Sequence, residues 1–170
     1  TDAIALIDSV NIAAANISNG QIGDSSFEAV NVGSGGAMYN PIASAWTFSG
    51  TAGVAGNGSG FTAGNPNAPV GGQVGFLQLG GSIAQVVRVA NSGNYAVSFF
   101  AAQRGNYNLG AQTIQVWIDG ILIATITPSS TSYTLVSTVR FFVGAGNHVV
   151  SLKGLATNDS TALIDAISLA

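Results

Sequence analysis

The sequence predicts an all-β protein with a jelly-roll β-sandwich fold. Three observations support this: apolar and polar residues alternate in short runs, Gly, Asn and Ser are dense between these runs, and one segment has a strong hairpin sequence. Alternation of apolar and polar residues is typical of strands that are buried on one face. No segment keeps the apolar period of a helix. The 170 residues are enough for one domain with a sizeable core.

The predicted strands follow one another along most of the chain. The clearest element is a hairpin in QTIQVWIDGILIATI, because the central Asp119-Gly120 pair accepts the positive φ angles of a tight turn. The segment Gly50–Gly72 is rich in Gly, Asn and Pro, and we predict a long loop across one end or face. The other predicted strands are AWTFSG, VGFLQLG, SIAQVVRV, NYAVSFFAAQ, YTLVSTVRFFV, NHVVSLKGL and TALIDAISL.

The composition narrows the classes of partner and the location. Charged residues make up only 6% of the chain and the formal net charge is −3, so there is no basic footprint for a nucleic acid. The chain has no cysteine, which excludes disulfides and thiolate metal sites. No apolar run approaches the roughly 20 residues that cross a bilayer. Few charges and many neutral polar residues are typical of secreted bacterial proteins, so we expect a secreted or cell-surface location.

The sequence contains no evident catalytic constellation. His148 is the single histidine, and no spacing groups it with a serine and an aspartate as a triad. The seven acidic residues include no pair at positions typical of a glycosidase. We therefore predict that the protein is not an enzyme.

Several segments in order resemble the galactose-binding-like β-sandwich modules, which include many carbohydrate-binding modules of secreted bacterial proteins. The segments are SSFE, AWTFSGTAGVA, GFLQLGGSIAQ, GNYAVSFFAAQR, VWIDG, GNHVVSLKGL and TALIDAISL. The resemblance covers about Ile22 to Leu169. It implies a non-catalytic module that binds carbohydrate or acts as a spacer, beside an enzyme or within a large surface protein.

The resemblance also implies a structural Ca²⁺ where the early FE segment meets the terminal ID strand. Glu28 and Asp165 occupy these two positions, and Asp24 is close enough in sequence to contribute. Carboxylate oxygens are the ligands that Ca²⁺ prefers. Ala166 follows Asp165 where many relatives have a second acid or amide. The alternative is a solvated pair of acids or a buried, hydrogen-bonded aspartate.

Alternation within the strands predicts an aromatic platform for sugar rings. In TIQVWID, the core face takes Ile114, Val116 and Ile118, which leaves Gln115 and Trp117 on the opposite face. In NYAVSFFAAQR, the same argument places Phe100 and Arg104 on the outer face. In VRFFV, it places Arg140 and Phe142 on the outer face and Val139, Phe141 and Val143 on the core face. Trp46 is predicted to lie in the core. If these strands share one sheet, Trp117, Phe100 and Phe142 form the platform and Gln115, Arg104 and Arg140 bind hydroxyls. The alternative is that the long loop or a neighbouring subunit covers this face.

The two ends of the chain carry related sequences. ALID occurs at Ala5 and again at Ala162, an offset of 157 residues. We therefore predict a connecting or donated strand at residues 1–15 and a sandwich module at 16–170. The first functional hypothesis is a carbohydrate-binding module that follows a preceding repeat. The second is a repeat of a surface adhesin, or a subunit of an extracellular filament in which the N-terminal strand pairs with another copy.

Overall fold

The computed structural model describes residues 20–107 and 111–170, so the predicted strand at residues 1–15 lies outside the described residues. The described residues form thirteen strands and no helix. The strands are β1 (Ala37–Tyr39), β2 (Thr47–Ser49), β3 (Ala52–Gly56), β4 (Gln73–Gln78), β5 (Ser82–Val89), β6 (Gly93–Tyr95), β7 (Val97–Gln103), β8 (Ile114–Ile118), β9 (Ile121–Ile126), β10 (Thr134–Ser137), β11 (Phe141–Val143), β12 (Gly146–Gly154) and β13 (Thr161–Leu169).

The strands form two antiparallel sheets and a short ribbon. The six-stranded sheet has the order β1-β3-β4-β13-β7-β10, the five-stranded sheet has the order β2-β5-β12-β8-β9, and β11 pairs with β6. One apolar core joins the inner faces, with Phe99 and Ile164 from the six-stranded sheet and Val116 and Val150 from the five-stranded sheet. The predicted jelly-roll β-sandwich is confirmed. Within residues 20–107 and 111–170 there is no helix that could span a membrane.

In β8, the alternation in the sequence predicts correctly which side chains enter the core. Ile114 and Val116 of β8 are fully buried, while Gln115 and Trp117 lie on the outer face and are half-buried. Trp46 is also buried, as predicted, and its indole N–H donates to the carbonyl oxygen of Asp24 at 3.0 Å. These strands bury one face because their apolar side chains alternate with polar ones.

Val139 departs from the predicted pattern. We expected it on the core face with Phe141 and Val143, but its side chain is 77% exposed. Val139 precedes β11, and alternation constrains a side chain only within a continuous strand. The prediction was therefore wrong at this residue and correct for Val143, which is buried.

The segment Gly50–Gly72 is only in part the loop that we predicted. Its first part forms β3, all five residues of which are buried, between β1 and β4 of the six-stranded sheet. The rest, residues 57–72, connects β3 to β4, and Phe61 and Ala68 from it pack on a second apolar cluster that contains Val74, Phe76 and Leu163. The small residues of β3 led to the loop prediction. Residues 57–72, which we call the covering segment, bury the second face of this strand, so it shows no alternation.

The predicted hairpin forms between β8 and β9. Asp119 and Gly120 have φ angles of 50° and 78°, as a tight two-residue turn requires. The Asp119 carboxylate accepts the backbone N–H of Val149 at 2.8 Å and lies 2.7 Å from Nδ1 of His148. The hydrogen bond to His148 lowers the pKa of Asp119. The single histidine thus stabilises a turn.

Candidate functional site

The structure separates the residues of the predicted aromatic platform into three places. Gln115 and Trp117 lie on the five-stranded sheet. Phe100 lies on β7 of the six-stranded sheet, and Arg104 directly follows this strand. Phe142 lies in the β6–β11 ribbon and is 72% exposed, and the exposed Arg140 donates to the carbonyl oxygen of Asn94 in the same ribbon at 2.9 Å. The premise of one shared sheet was wrong. A role in sugar binding for each residue stays a prediction.

Trp117 borders a row of small side chains on the five-stranded sheet, and on its other side it pairs with Leu122 of β9. Cross-strand pairing places Ser151 opposite Trp117, Ala84 opposite Ser151, and Thr47 opposite Ala84. We call these four residues the Trp117 row. The indole N–H of Trp117 is buried without a hydrogen-bond partner among the described residues. The row is a flat strip with one aromatic side chain.

A second aromatic surface lies on the outer side of the six-stranded sheet. Its members are Tyr39, Phe61, Phe76, Arg104 and Tyr107, which we call the aromatic–arginine cluster. The rings of Phe61 and Phe76 stack with centroids 4.2 Å apart, and Tyr39 meets both edge-on at 5.9 and 5.0 Å. Such ring pairs contribute about 0.5–1.5 kcal/mol beyond the burial of their area.

Arg104 lies between two rings of this cluster. Its guanidinium carbon is 4.6 Å from the Phe61 ring centroid and 4.9 Å from that of Tyr107. Nη2 donates to the carbonyl oxygen of Gly60 at 2.6 Å, and Nε donates to Oδ1 of Asn106 at 3.0 Å. These contacts fix the plane of the guanidinium, because both rings and two hydrogen bonds constrain it.

The cluster combines exposed ring surface with polar groups. Tyr39 and Tyr107 are 46% and 54% exposed. The Tyr39 hydroxyl donates to Oε1 of Gln78 at 2.5 Å, and the amide of Gln78 donates to the Asp159 carboxylate. Partial burial, and then the charge of Asp159, raise the pKa of Tyr39. The surface therefore offers flat apolar rings beside planar donors and acceptors.

Sequence reasoning identified one member of this cluster and missed the others. Arg104 was a candidate, but Tyr39, Phe61 and Tyr107 come from separate segments that meet only in the folded chain. No spacing in the sequence brings these segments together. The sequence did contain one indication of these members: Phe61 and Tyr107 are single aromatic residues in segments that are otherwise rich in Gly and Asn.

Two of the three predicted calcium ligands approach each other. Asp165 is fully buried and accepts the backbone N–H groups of Val70 and Ala166 at 2.8 and 2.7 Å. Burial raises its pKa to about 6, and the nearby Glu28 carboxylate contributes in the same direction. Oε1 of Glu28 accepts the backbone N–H groups of Gly72 and Gln73 at 2.9 and 3.1 Å.

The third predicted ligand, Asp24, is engaged elsewhere. Its carboxylate accepts the backbone N–H of Ala29 at 3.0 Å and the hydroxyl of Ser44 at 2.6 Å. Across residues 20–107 and 111–170, no three acidic or histidine side chains come together as metal ligands. Ca²⁺ takes six to eight oxygen ligands. As arranged, these carboxylates do not fit a calcium ion, and backbone N–H groups take the oxygens of the buried Asp165.

A polar pocket of about 550 Å³ adjoins Glu28. The polar side chains that line it are Glu28, Asn31, Ser34, Asn57, Asn67 and Gln73. Several of their groups already serve the fold: Oδ1 of Asn31 accepts the N–H of Gly33, and Oδ1 of Asn57 accepts the N–H of Ala68. The pocket has no aromatic side chain in its lining, so it offers polar contacts without a stacking surface.

Comparison with solved structures relates this fold to carbohydrate-binding modules. TmCBM61 in complex with β-1,4-galactotriose is 16% identical, with a TM-score of 0.62, and the match covers 90% of this chain and 99% of that one. A family 35 carbohydrate-binding module from Clostridium thermocellum is 17% identical, with a TM-score of 0.53 and coverage of 73% and 90%. The chain has the β-sandwich fold of these modules, which confirms the predicted resemblance.

A third similar structure is a domain of an enzyme. The CBM36-1 domain of a multidomain xylanase from the hindgut metagenome of Trinervitermes trinervoides is 21% identical, with a TM-score of 0.50 and coverage of 63% and 83%. No protein-family model and no curated protein sequence matches the chain. The similarity therefore lies in the fold.

Proposed function

We propose that the protein is a non-catalytic carbohydrate-binding module of a secreted or cell-surface protein, and that the aromatic–arginine cluster holds the sugar. The observation that carries this proposal is the guanidinium of Arg104 held between the Phe61 and Tyr107 rings, beside exposed Tyr39. The fold shared with carbohydrate-binding modules supports it.

The chemistry of a pyranose matches this surface. The apolar face of the sugar ring packs against exposed aromatic faces, here those of Tyr39 and Tyr107. Its hydroxyls need planar donors and acceptors, and the side chains of Asn106 and Asp159, each of which also bonds to the protein, lie at the edge of the cluster. Because hydrogen bonds already hold Arg104 in place, little ordering is needed on binding.

The Trp117 row is the second surface on which this function can be tested. Trp117 provides a larger ring, and Gln115 and Lys153 face each other on a neighbouring cross-strand pair. The row has a single aromatic side chain, half-buried, whereas the cluster has two exposed rings. The cluster is therefore the preferred site.

A glycan array followed by affinity electrophoresis tests the proposal. We expect the wild-type protein to be retained by at least one polysaccharide, and Tyr107→Ala to lose retention. An aromatic anchor in a binding site typically contributes about 2 kcal/mol, or about 30-fold in affinity. Val139→Ala removes an exposed apolar side chain outside both surfaces and is the control.

The outcome of this experiment shows which of the two surfaces, the aromatic–arginine cluster or the Trp117 row, binds the sugar. If Trp117→Ala abolishes retention and Tyr107→Ala does not, the sugar binds on the Trp117 row. If the wild-type protein binds no polysaccharide in the array, the carbohydrate-binding proposal fails. Each variant is checked by its melting curve, so that a loss of folding is not mistaken for a loss of binding.

The resemblance predicts calcium binding by Glu28, Asp165 and Asp24, whereas the hydrogen bonds of Asp165 predict that no ion is bound, and metal removal decides between the two expectations. Metal that binds only the folded state raises stability by about 3 kcal/mol at a hundredfold excess over Kd. A bound structural ion would therefore make the melting temperature fall on addition of EDTA. Given the hydrogen bonds of Asp165, we expect no fall and no metal by elemental analysis.

A second candidate function is structural: a repeat of a surface adhesin, or a subunit of an extracellular filament. The related sequences at the two ends of the chain favour it. Strand addition between copies would provide the contact. Size-exclusion chromatography with light scattering tests it, because a structural subunit of this kind associates with itself and a simple binding module stays monomeric.

A further inference from the structure

The covering segment contains a compact turn at residues 59–65. The backbone N–H of Thr62 donates to the carbonyl oxygen of Ser59 at 3.1 Å, and that of Asn65 donates to the carbonyl oxygen of Thr62 at 2.9 Å. The hydroxyl of Thr62 also donates to the last carbonyl oxygen of β3 at 2.6 Å. Ser59 and Thr62 are both buried. The turn is therefore held by its own contacts, and it carries both Phe61 and Asn65.

The side chain of Asn65 holds the segment that carries Arg104. Its Nδ2 atom donates to the carbonyl oxygen of Gln103 at 2.7 Å, and its Oδ1 atom accepts the backbone N–H of Gly105 at 2.9 Å. These two hydrogen bonds hold the backbone on both sides of Arg104. Nδ2 also donates to the carbonyl oxygen of Thr131, in the connection between β9 and β10, at 2.7 Å. One amide group thus joins three segments of the chain, because an asparagine has two donor hydrogens and an acceptor oxygen.

A close contact between two backbones lies beside Asn65. A Cβ atom on Gly64 would lie 2.5 Å from the carbonyl carbon of Gly105, and a Cβ atom on Gly105 would lie 2.2 Å from the carbonyl oxygen of Gly64. Only glycine, which has no Cβ atom, allows backbones to approach so closely. The turn and the segment after β7 therefore pack directly against each other where the Asn65 side chain joins them.

The same two segments meet again at the side chain of Arg104. Nη2 of Arg104 and Nδ2 of Asn106 both donate to the carbonyl oxygen of Gly60, at 2.6 and 3.0 Å. The guanidinium carbon lies 4.6 Å from the centroid of the Phe61 ring. Because Asn65 and Phe61 belong to one turn, Asn65 sets the position of the Arg104 backbone relative to the ring on which the guanidinium stacks.

We propose that Asn65 is the positioning residue of the aromatic–arginine cluster. It fixes the backbone on both sides of Arg104 and thereby holds the guanidinium and the Tyr107 ring in the arrangement that binds sugar. Asn65 is half-buried and acts through Arg104. The inference rests on the proposed function of the cluster, but the position of Arg104 can be measured without a sugar.

The variant Asn65→Ala tests the proposal, and Asn57→Ala is its matched control. Asn57 lies in the same covering segment and is also half-buried, and its Oδ1 atom accepts the backbone N–H of Ala68 at 2.8 Å. Its replacement weakens the covering segment and leaves the contacts of Asn65 in place. The first measurement is the Nε–H signal of Arg104 in a proton–nitrogen correlation NMR spectrum, because this group donates to Asn106 and the guanidinium lies between two rings.

We expect Asn65→Ala to move the Arg104 signal towards the signals of the exposed Arg88 and Arg140. The second measurement is calorimetry with an oligosaccharide of the polysaccharide that the glycan array identifies. The affinity should fall about tenfold, because the cluster would then hold its binding arrangement only about a tenth of the time. Asn57→Ala should lower the melting temperature but leave the Arg104 signal and the affinity unchanged.

Three results would overturn the proposal: an unmoved Arg104 signal in folded Asn65→Ala, an unchanged sugar affinity of this variant, or equal changes in Asn57→Ala. If Asn65→Ala does not fold, Asn65→Asp replaces it, since aspartate keeps the acceptor for Gly105 and loses the donors to Gln103 and Thr131. The same changes are then expected. If the signal moves but the wild-type protein binds no polysaccharide, the proposed function fails and the positioning of Arg104 by Asn65 stands.

Discussion

The two outer faces of the sandwich are built differently. On the six-stranded sheet, the segment 57–72 crosses the face and packs Phe61 and Ala68 on Val74, Phe76 and Leu163. On the five-stranded sheet, Val86, Val149 and Leu122 remain 65%, 42% and 43% exposed. One face has a second apolar layer that holds the aromatic–arginine cluster in place, and the other presents single side chains directly on the strands.

The aromatic–arginine cluster is held rigidly by its own contacts, whereas the Trp117 row is a flat strip on the strands. Arg104 has two rings and two hydrogen bonds that fix it, so the shape of the cluster is set before a ligand arrives. Trp117 stands beside Ser151 and makes no hydrogen bond with its indole N–H among the described residues. Prior ordering reduces the cost of binding. We therefore expect the sugar to bind on the covered face, although this face is the less exposed one.

The largest expected effect is on stability, from Phe76→Ala. Phe76 is fully buried, stacks on Phe61 and meets Tyr39 edge-on, so its removal leaves a cavity under the covering segment. A loss of about 3–5 kcal/mol in the free energy of unfolding is expected, measured by urea denaturation. Trp117→Ala on the other face should cost clearly less. Equal losses would mean that the two faces do not differ in this way.

The sequence predicted the fold better than it predicted the site. Period-two alternation assigned Trp117 and Phe100 to outer faces correctly, but it does not tell which of two sheets a strand joins. The strand β3 was not predicted, because its residues are small and are buried on both faces, so apolar and polar residues do not alternate along it. Arg104 was identified as a candidate, whereas its ring partners come from distant segments.

The next effect is on affinity, from Arg104→Lys. Lysine keeps the charge but loses the flat fork that stacks on Phe61 and donates to Gly60 and Asn106. We expect about a tenfold loss of sugar affinity and about 1 kcal/mol of stability. Isothermal titration calorimetry measures the first and urea denaturation the second. Arg88→Lys, an exposed position on the five-stranded sheet, is the matched control and should change neither.

A smaller effect concerns pH and the buried Asp165 under the covering segment. Burial raises its folded-state pKa to about 6, above the usual value near 4 for an aspartate. The stability that its bound proton contributes is complete below about pH 4 and is lost as the pH rises through 6. Wild-type stability relative to Asp165→Asn should therefore fall from pH 4 to pH 7.

Urea denaturation of both proteins at several pH values measures this difference, and the titrating groups that do not interact with Asp165 cancel in the comparison. A constant difference would show that the carboxyl group is not held in its protonated form. An increase with pH would show that the N–H groups of Val70 and Ala166 favour the carboxylate more than burial opposes it.

Tryptophan fluorescence during a sugar titration tests the central claim most directly. The chain has two tryptophans: Trp46, which is buried in the core, and Trp117 on the five-stranded sheet. The titration uses an oligosaccharide of the polysaccharide that retains the protein, with calorimetry in parallel to record binding. If the sugar binds at the aromatic–arginine cluster, the binding heat saturates while the tryptophan emission stays unchanged. A saturable change in emission that disappears in Trp117→Phe would place the sugar on the Trp117 row and contradict the account.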